Sequence, residues 1–209
     1  MAPTRPLQGL RICDASMGVA GPYATWLMAQ SGAEVIKVEP AEGDWGRVIG
    51  ARFNGVSSAF LTYNSGKKSV ALNLKSKAGL EAARRLAATC DVFVESFRPG
   101  VIQRLGLDYE TLAKARPDLV YLSVSGFGSA GPLAALPAMD PIIQAYSGWY
   151  DVNRGADGVP TQMDHVPIDV LTGLYAYQAA VAALLRRFRF GEGAQLEVSL
   201  VHAAAAFLA

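Results

Sequence analysis

The chain is poor in the residues that build covalent or metal-held scaffolds: its 209 residues include two cysteines and two histidines. Cys13 and Cys90 are far apart and form no CxxC pair, so neither a disulfide framework nor a thiolate metal site is expected, and a reduced, cytoplasmic setting fits. His165 and His202 stand apart from each other and from any carboxylate at ligand spacing, which leaves no zinc site and no Ser/His/Asp set. Charge of one sign is lacking too. Nineteen basic and eighteen acidic residues give a net +1, with no broad basic surface for nucleic acid or an anionic membrane, so any anionic ligand must be held locally. No signal-peptide core follows Met1, and no uninterrupted apolar run reaches the roughly 20 residues that span a bilayer. The longest candidate, Val170 to Leu185, contains Thr172, Tyr175, Tyr177 and Gln178 and reads as a buried helix.

What is abundant is apolar residue, 51% of the chain, arranged as short β-branched runs alternating with longer helical patterns. Arg11 to Asp14, a helix from Tyr23 to Gln30, and Val35 to Glu39 form a strand-helix-strand unit of parallel type. The rhythm continues with strands at Ser69 to Leu74, Val92 to Glu95 and Val120 to Ser125, and with a helix over Lys77 to Ala88 that Ser76 caps. Ala194 to Ser199 reads as a further strand, followed by an apolar helix from Leu200 that stops at Ala209. The expected fold is α/β: an open, parallel, Rossmann-like sheet flanked by helices. Gly/Pro-rich loops at 41–55, 126–137 and 151–160 are the expected ligand-bearing segments, because loops beyond strand ends carry binding in such sheets.

Two phosphate-loop spellings fail on context. Gly126-Phe-Gly-Ser-Ala-Gly131 has the GxGxxG pattern but follows the fifth strand, and Pro132 and Pro137 interrupt any helix after it, so no nicotinamide or flavin site is expected. Ser65-Gly-Lys-Lys-Ser69 lacks the earlier glycine of a Walker loop, that position being Leu61. No GxSxG elbow is present, which removes the serine α/β-hydrolases. The informative stretch is Pro167-Ile-Asp-Val-Leu-Thr-Gly173, where an acid stands immediately before a long Ala/Leu-rich helix. Asp169 reads either as an N-cap or as a nucleophilic carboxylate held ionised by the helix dipole, with neighbouring backbone amides free to stabilise an oxyanion.

Taken in order, several segments resemble the family III coenzyme A-transferases, the group of formyl-CoA transferase and carnitine CoA-transferase. They are Pro6 to Ile12 leading into Ala20-Gly-Pro22, Gly32 to Pro40, Asn64 to Lys75, and Asp91 to Gly100 with Leu105-Gly-Leu107. Ser125 to Gly128 with Gly131-Pro132, Asp140 to Gly148, Asp169 with Thr172-Gly173, and Gly191 to Gln195 complete the series. The resemblance implies an enzyme that moves CoA from an acyl-CoA to a carboxylic acid, with Asp169 as covalent nucleophile, passing through a mixed anhydride and an aspartyl-CoA thioester. It implies CoA contacts at Val19, Ala20, Leu72, Lys75, Ser96, Phe97, Arg98, Arg104 and Asp140, and no metal. It also implies a longer chain: residues 1–209 would be the N-terminal segment of the large CoA-binding domain, without the linker, the small domain and the C-terminal return, and the full-length form would be an interlocked homodimer. Apolar surface that the remainder would cover is then expected to be exposed.

Met139 stands where the α-methylacyl-CoA racemase branch of the family carries a histidine, and methionine can neither take nor give a proton, so transfer is favoured over racemisation or epimerisation. A non-catalytic CoA-binding or assembly subunit is the alternative from another class. Pro40 replaces a basic residue found in some relatives near the nucleotide, and Pro137 and Met139 replace polar CoA contacts of the formyl-CoA branch, leaving the donor and acceptor acids open.

Overall fold

The computed structural model describes residues 4–209. Buried β-branched runs form strands and Ala/Leu-rich segments form the covering helices, beginning with β1 (Arg11–Ala15), α1 (Ala20–Gln30) and β2 (Glu34–Glu39). A single 3-10 turn (Trp45–Val48), the small hairpin β3 (Arg52–Phe53) and β4 (Val56–Ser57), and α2 (Ser58–Asn64) then lead to β5 (Lys68–Ala71). The chain continues through α3 (Lys77–Ala88), β6 (Val92–Glu95), α4 (Val101–Leu105), α5 (Tyr109–Ala115) and β7 (Val120–Ser125). After a long irregular segment come α6 (Asp140–Tyr146), α7 (Trp149–Val152), the 24-residue α8 (Pro167–Phe190), β8 (Ala194–Ser199) and α9 (Leu200–Leu208).

Six of these strands form one sheet in the order β5-β2-β1-β6-β7-β8, every neighbouring pair parallel. The expected α/β class and the sixth strand are therefore observed. Two boundaries differ by more than one residue. α1 begins at Ala20, three residues before the expected Tyr23, and β5 ends at Ala71, so Leu72 to Lys75 form a loop and not a strand end. Lys75 N–H donates to the Asn73 side chain in that loop, a local turn that competes with the ladder.

Chain order reverses across β1: β2 and β5 lie on one side, β6, β7 and β8 on the other. The connections that follow β1 and β6 lead to helices on opposite faces of the sheet, which leaves a crevice at that point, the usual ligand position in open α/β sheets. One face of the sheet packs against α1 and α8 through Ile12, Val94, Leu122, Ala24, Met28, Ala176 and Ala180. The other packs α3, α4 and α5 on Cys13, Phe93 and Tyr121.

The helix expected to be buried, α8, is buried along one face only. Ile168, Thr172, Gly173, Ala176, Ala180, Ala183 and Leu184 face the core, whereas Leu174, Tyr175, Leu185 and Phe188 are exposed. By length and composition this helix is apolar enough to cross a membrane, but its inner face belongs to the core of the sheet. Small residues on that face allow a close approach to α1: a β-carbon on Gly173 would come within 2.7 Å of the Ala20 carbonyl oxygen. This contact sets the start of α8 beside the start of α1, and with it the position of Asp169.

Candidate active site

Two cavities lie at the carboxyl edge of the sheet. The larger, about 500 Å³, is lined by Val19, Ala20, Ser96, Phe97, Arg98 and Asp169, together with Met17, Gly21, Trp45 and the segment Leu136–Met139. The smaller, about 380 Å³, is lined by Leu72, Lys75, Phe97, Met17 and the stretch Glu39–Glu42, Pro40 included. Met17 and Phe97 border both, so the two form one groove running from β5 to α8. Seven of the residues marked in the sequence, Val19, Ala20, Leu72, Lys75, Ser96, Phe97 and Arg98, fall on its walls with Asp169. Two do not. Arg104 is an exposed residue of α4 that folds back over Gly100, and Asp140 is buried beneath the floor at 1% exposure.

Asp169 is the third residue of α8, and the N-cap is Val166, which makes no side-chain cap. The N-cap reading of Asp169 is therefore corrected: Pro167, with no N–H to leave unsatisfied, takes the first helical position and pushes the acid one turn inward. The capping role falls to Asp140, whose Oδ2 accepts the Asp169 N–H at 2.8 Å and which also accepts from the Ile168 backbone. Gln144 Nε2 donates to Asp140 Oδ1 at 2.5 Å and to the His165 carbonyl at 3.3 Å, tying α6 to the residues before α8.

This arrangement inverts the expected electrostatics. Burial raises the Asp169 carboxyl, and the nearby Asp140 raises it further, to about 7. The free amides that would have favoured its ionised form are occupied by Asp140, so the helix dipole is outweighed. Burial likewise raises Asp140 above its ordinary value. The result is a poorly solvated carboxylate, more basic and hence more nucleophilic than a surface aspartate.

Other backbone N–H groups border this cavity from a second helix start. α1 opens on the same cavity with Val19 as an uncapped N-cap and no acid in its first turn. Its first N–H groups, those of Ala20 and Gly21, have no partner within the helix and lie at the positive end of its dipole. Gly21 must be glycine because a β-carbon there would strike Ser16 at 2.4 Å. The sequence did not single out these two amides, and Ala20 stood out there only as an expected CoA contact.

Sequence reasoning also missed the buried charges beneath the groove. Asp14 and Lys67 pair at 2.9 Å and Lys37 and Asp44 at 2.8 Å, with all four side chains at 2% exposure or less. Lys67 also donates to the Pro22 carbonyl, Thr25 and Asn64, and Lys37 to the Ser16 carbonyl. Burial would raise the Asp14 carboxyl, but Lys67 and Lys37 with hydrogen bonds from Ser16 and Thr25 hold it well below the usual range. Burial lowers the Lys67 ammonium to about 8 despite Asp14. The Ser65–Ser69 phosphate-loop spelling thus reflects a structural lysine. The signal available in the sequence was a charge flanked by apolar residues inside a strand, Asp14 between Cys13 and Ala15 in β1 and Lys37 between Ile36 and Val38 in β2.

Gly126–Gly131 forms a turn with no helix after it until Asp140, so it lacks the helix start a dinucleotide needs. Among the described residues, no group of three or more histidine, cysteine and acidic side chains is placed to hold a metal.

The model of CoA-transferase family III matches residues 7–209. The chain belongs to that family. It is 41% identical to succinyl-CoA:glutarate CoA-transferase of Mus musculus over 98% of this chain and 47% of that protein. It is 39% identical to acetyl-CoA:oxalate CoA-transferase of Acetobacter aceti over 99% of this chain and 54% of that one. A CaiB/BaiF family protein from Brucella suis superimposes with a TM-score of 0.94 at 35% identity, covering 99% of this chain and 56% of that chain. The chain thus spans about half the length of the curated relatives it matches. With family membership, the groove acquires a chemical context: CoA and its thioesters are the family's substrates.

Proposed function

We propose that this chain carries the nucleophile and the CoA groove of a CoA-transferase that moves CoA from an acyl-CoA to a carboxylic acid. The observation that carries the proposal is Asp169, a carboxyl raised to about 7 on the wall of a largely apolar cavity that the uncapped start of α1 also lines.

In this reading CoA lies along the groove, its nucleotide end toward Leu72 and Lys75 and its thioester toward Asp169. The Asp169 carboxylate attacks the thioester carbonyl, and the Ala20 and Gly21 amides stabilise the oxyanion that forms. The C–S bond breaks with its electron pair on sulfur, leaving an acyl-aspartyl mixed anhydride and CoA thiolate. The thiolate attacks the aspartyl carbonyl, the donor acid departs as carboxylate, and Asp169 becomes an aspartyl-CoA thioester. The acceptor carboxylate repeats both steps in reverse and regenerates Asp169. No proton need be gained or lost, which suits a site whose cavity wall includes the thioether of Met139 in place of a second acid or base. An apolar cavity also limits water, which would hydrolyse the anhydride.

The test is peptide mass spectrometry after incubation with a panel of acyl-CoA donors. A CoA-mass adduct on the peptide containing Asp169, absent from Asp169→Ala, supports the proposal. CoA binding with no adduct from any donor overturns it for this chain and leaves a CoA-binding subunit.

A further inference from the structure

Asp44 and Arg47, which flank Trp45, are fixed far more firmly than an exposed turn requires. Asp44 accepts the Gly18 N–H at 3.0 Å and the Gly46 N–H at 2.8 Å while paired with the buried Lys37. Arg47 grips Glu39 through two hydrogen bonds of 2.7 Å, and its guanidinium stacks on Phe60 at 3.9 Å. Between them the indole of Trp45 lies directly on Gly18: a β-carbon there would stand 2.1 Å from Cζ2 and 2.7 Å from Cη2. Gly18 is therefore required twice, by its φ of +83° and by the ring that occupies the side-chain volume. Yet Trp45 remains 42% exposed, and it borders the cavity that holds Asp169. A large apolar side chain braced by two ion pairs and left open on a cavity is a surface prepared for a ligand.

The rest of that cavity matches it. Met17, Leu136, Met139, Ile142 and Leu200 contribute apolar surface, and among the described lining residues Arg98 is the one cation, on the loop beside Phe97 where the CoA groove passes. Apart from Arg98 at the CoA end, no described side chain lining this cavity carries a positive charge to pair with a second carboxylate at the far end of an acyl group, and burying one unpaired is costly. We infer that Trp45 is the specificity-determining wall of the acyl pocket and that the acyl group taken is apolar and monocarboxylic, unlike the succinyl, glutarate and oxalate named for the relatives above. This inference rests on the CoA-transferase reading.

The test is isothermal titration of free CoA, butyryl-CoA and succinyl-CoA into the chain, Trp45→Ala, Trp45→Phe and, as a control, Phe53→Ser at an exposed position outside the cavity. Butyryl-CoA should bind about tenfold more tightly than free CoA, the scale of a small apolar group entering a fitted pocket, and succinyl-CoA no more tightly than free CoA. The butyryl preference should vanish in Trp45→Ala, fall partway in Trp45→Phe and persist in Phe53→Ser. A succinyl preference, no butyryl preference in the parent chain, or a preference unchanged in Trp45→Ala overturns the inference while CoA binding leaves the transferase reading standing. Should Trp45→Ala not fold, an undiminished preference in Trp45→Phe overturns it. No binding of any of the three ligands removes the transferase reading and this inference together.

Discussion

Replacing Asp169 by asparagine should stabilise the fold, and should do so only above acidic pH. The carboxyl is raised from 3.8 to about 7 by burial and by Asp140, so near pH 4 it is largely protonated in the folded protein and the substitution exchanges one neutral group for another. As pH rises toward 7 the unfolded chain gives up the proton readily while the folded chain keeps it, so the folded state loses stability through that window. Each tenfold change in proton affinity is worth about 1.4 kcal/mol, which sets a ceiling of about 4 kcal/mol. Because Asp169 keeps part of its surface in the cavity, solvent screening reduces this to about 2 kcal/mol. In a domain of this size that corresponds to roughly 4–8 °C in Tm. Thermal and urea denaturation of the chain and of Asp169→Asn at about pH 3.5, 6 and 8 should give nearly equal stabilities at the lowest pH and a gap that widens to its full value by about pH 8. An equal gap at all three values, or a variant less stable at pH 8, would refute the electrostatic account of the site.

The same physics predicts that Asp140→Asn lowers the Asp169 carboxyl by removing a like charge, so the pH midpoint for labelling at Asp169 should fall below about 7; an unmoved midpoint would assign the shift to burial alone. Lys37→Met leaves Asp44 buried without its cation and should cost about 3–5 kcal/mol, with at least half recovered in Lys37→Met/Asp44→Asn, as read by urea denaturation. A double variant no more stable than the single one would show that Lys37 acts through packing and not through its charge.

Much of the architecture was legible because its determinants are local. Alternating short β-branched runs and Ala/Leu-rich segments specify strands and helices, and connections of this length between strands specify a parallel sheet. The strand ends were less legible: Ser69–Leu74 has an apolar-polar alternation that continues past Ala71, but Asn73 and Ser76 offer backbone groups a turn in place of the ladder. The wall residues of the groove were recoverable from family motifs because they sit on the loops after β1, β5 and β6, whose position follows from strand order alone.

The chemistry of the site depended on contacts between segments distant in the chain. The acid at the start of α8 is visible in the sequence, but a helix N-terminus by itself predicts a depressed carboxyl. Only the folded chain buries Asp169 and brings Asp140, 29 residues earlier, onto its backbone N–H, and so burial first and the like charge second turn the shift upward. Likewise, Gly18 and Trp45 are unremarkable apart, 27 positions from each other, until the turn after β2 lays the indole on the loop after β1. Residue pattern determined the strands, the helices and the α/β layering, because periodicity and propensity act over a few residues, whereas the order of the strands in the sheet came from the folded chain. Charge states, free backbone donors and pocket walls were decided by tertiary structure, because desolvation and Coulomb terms depend on through-space distance, which chain separation does not encode.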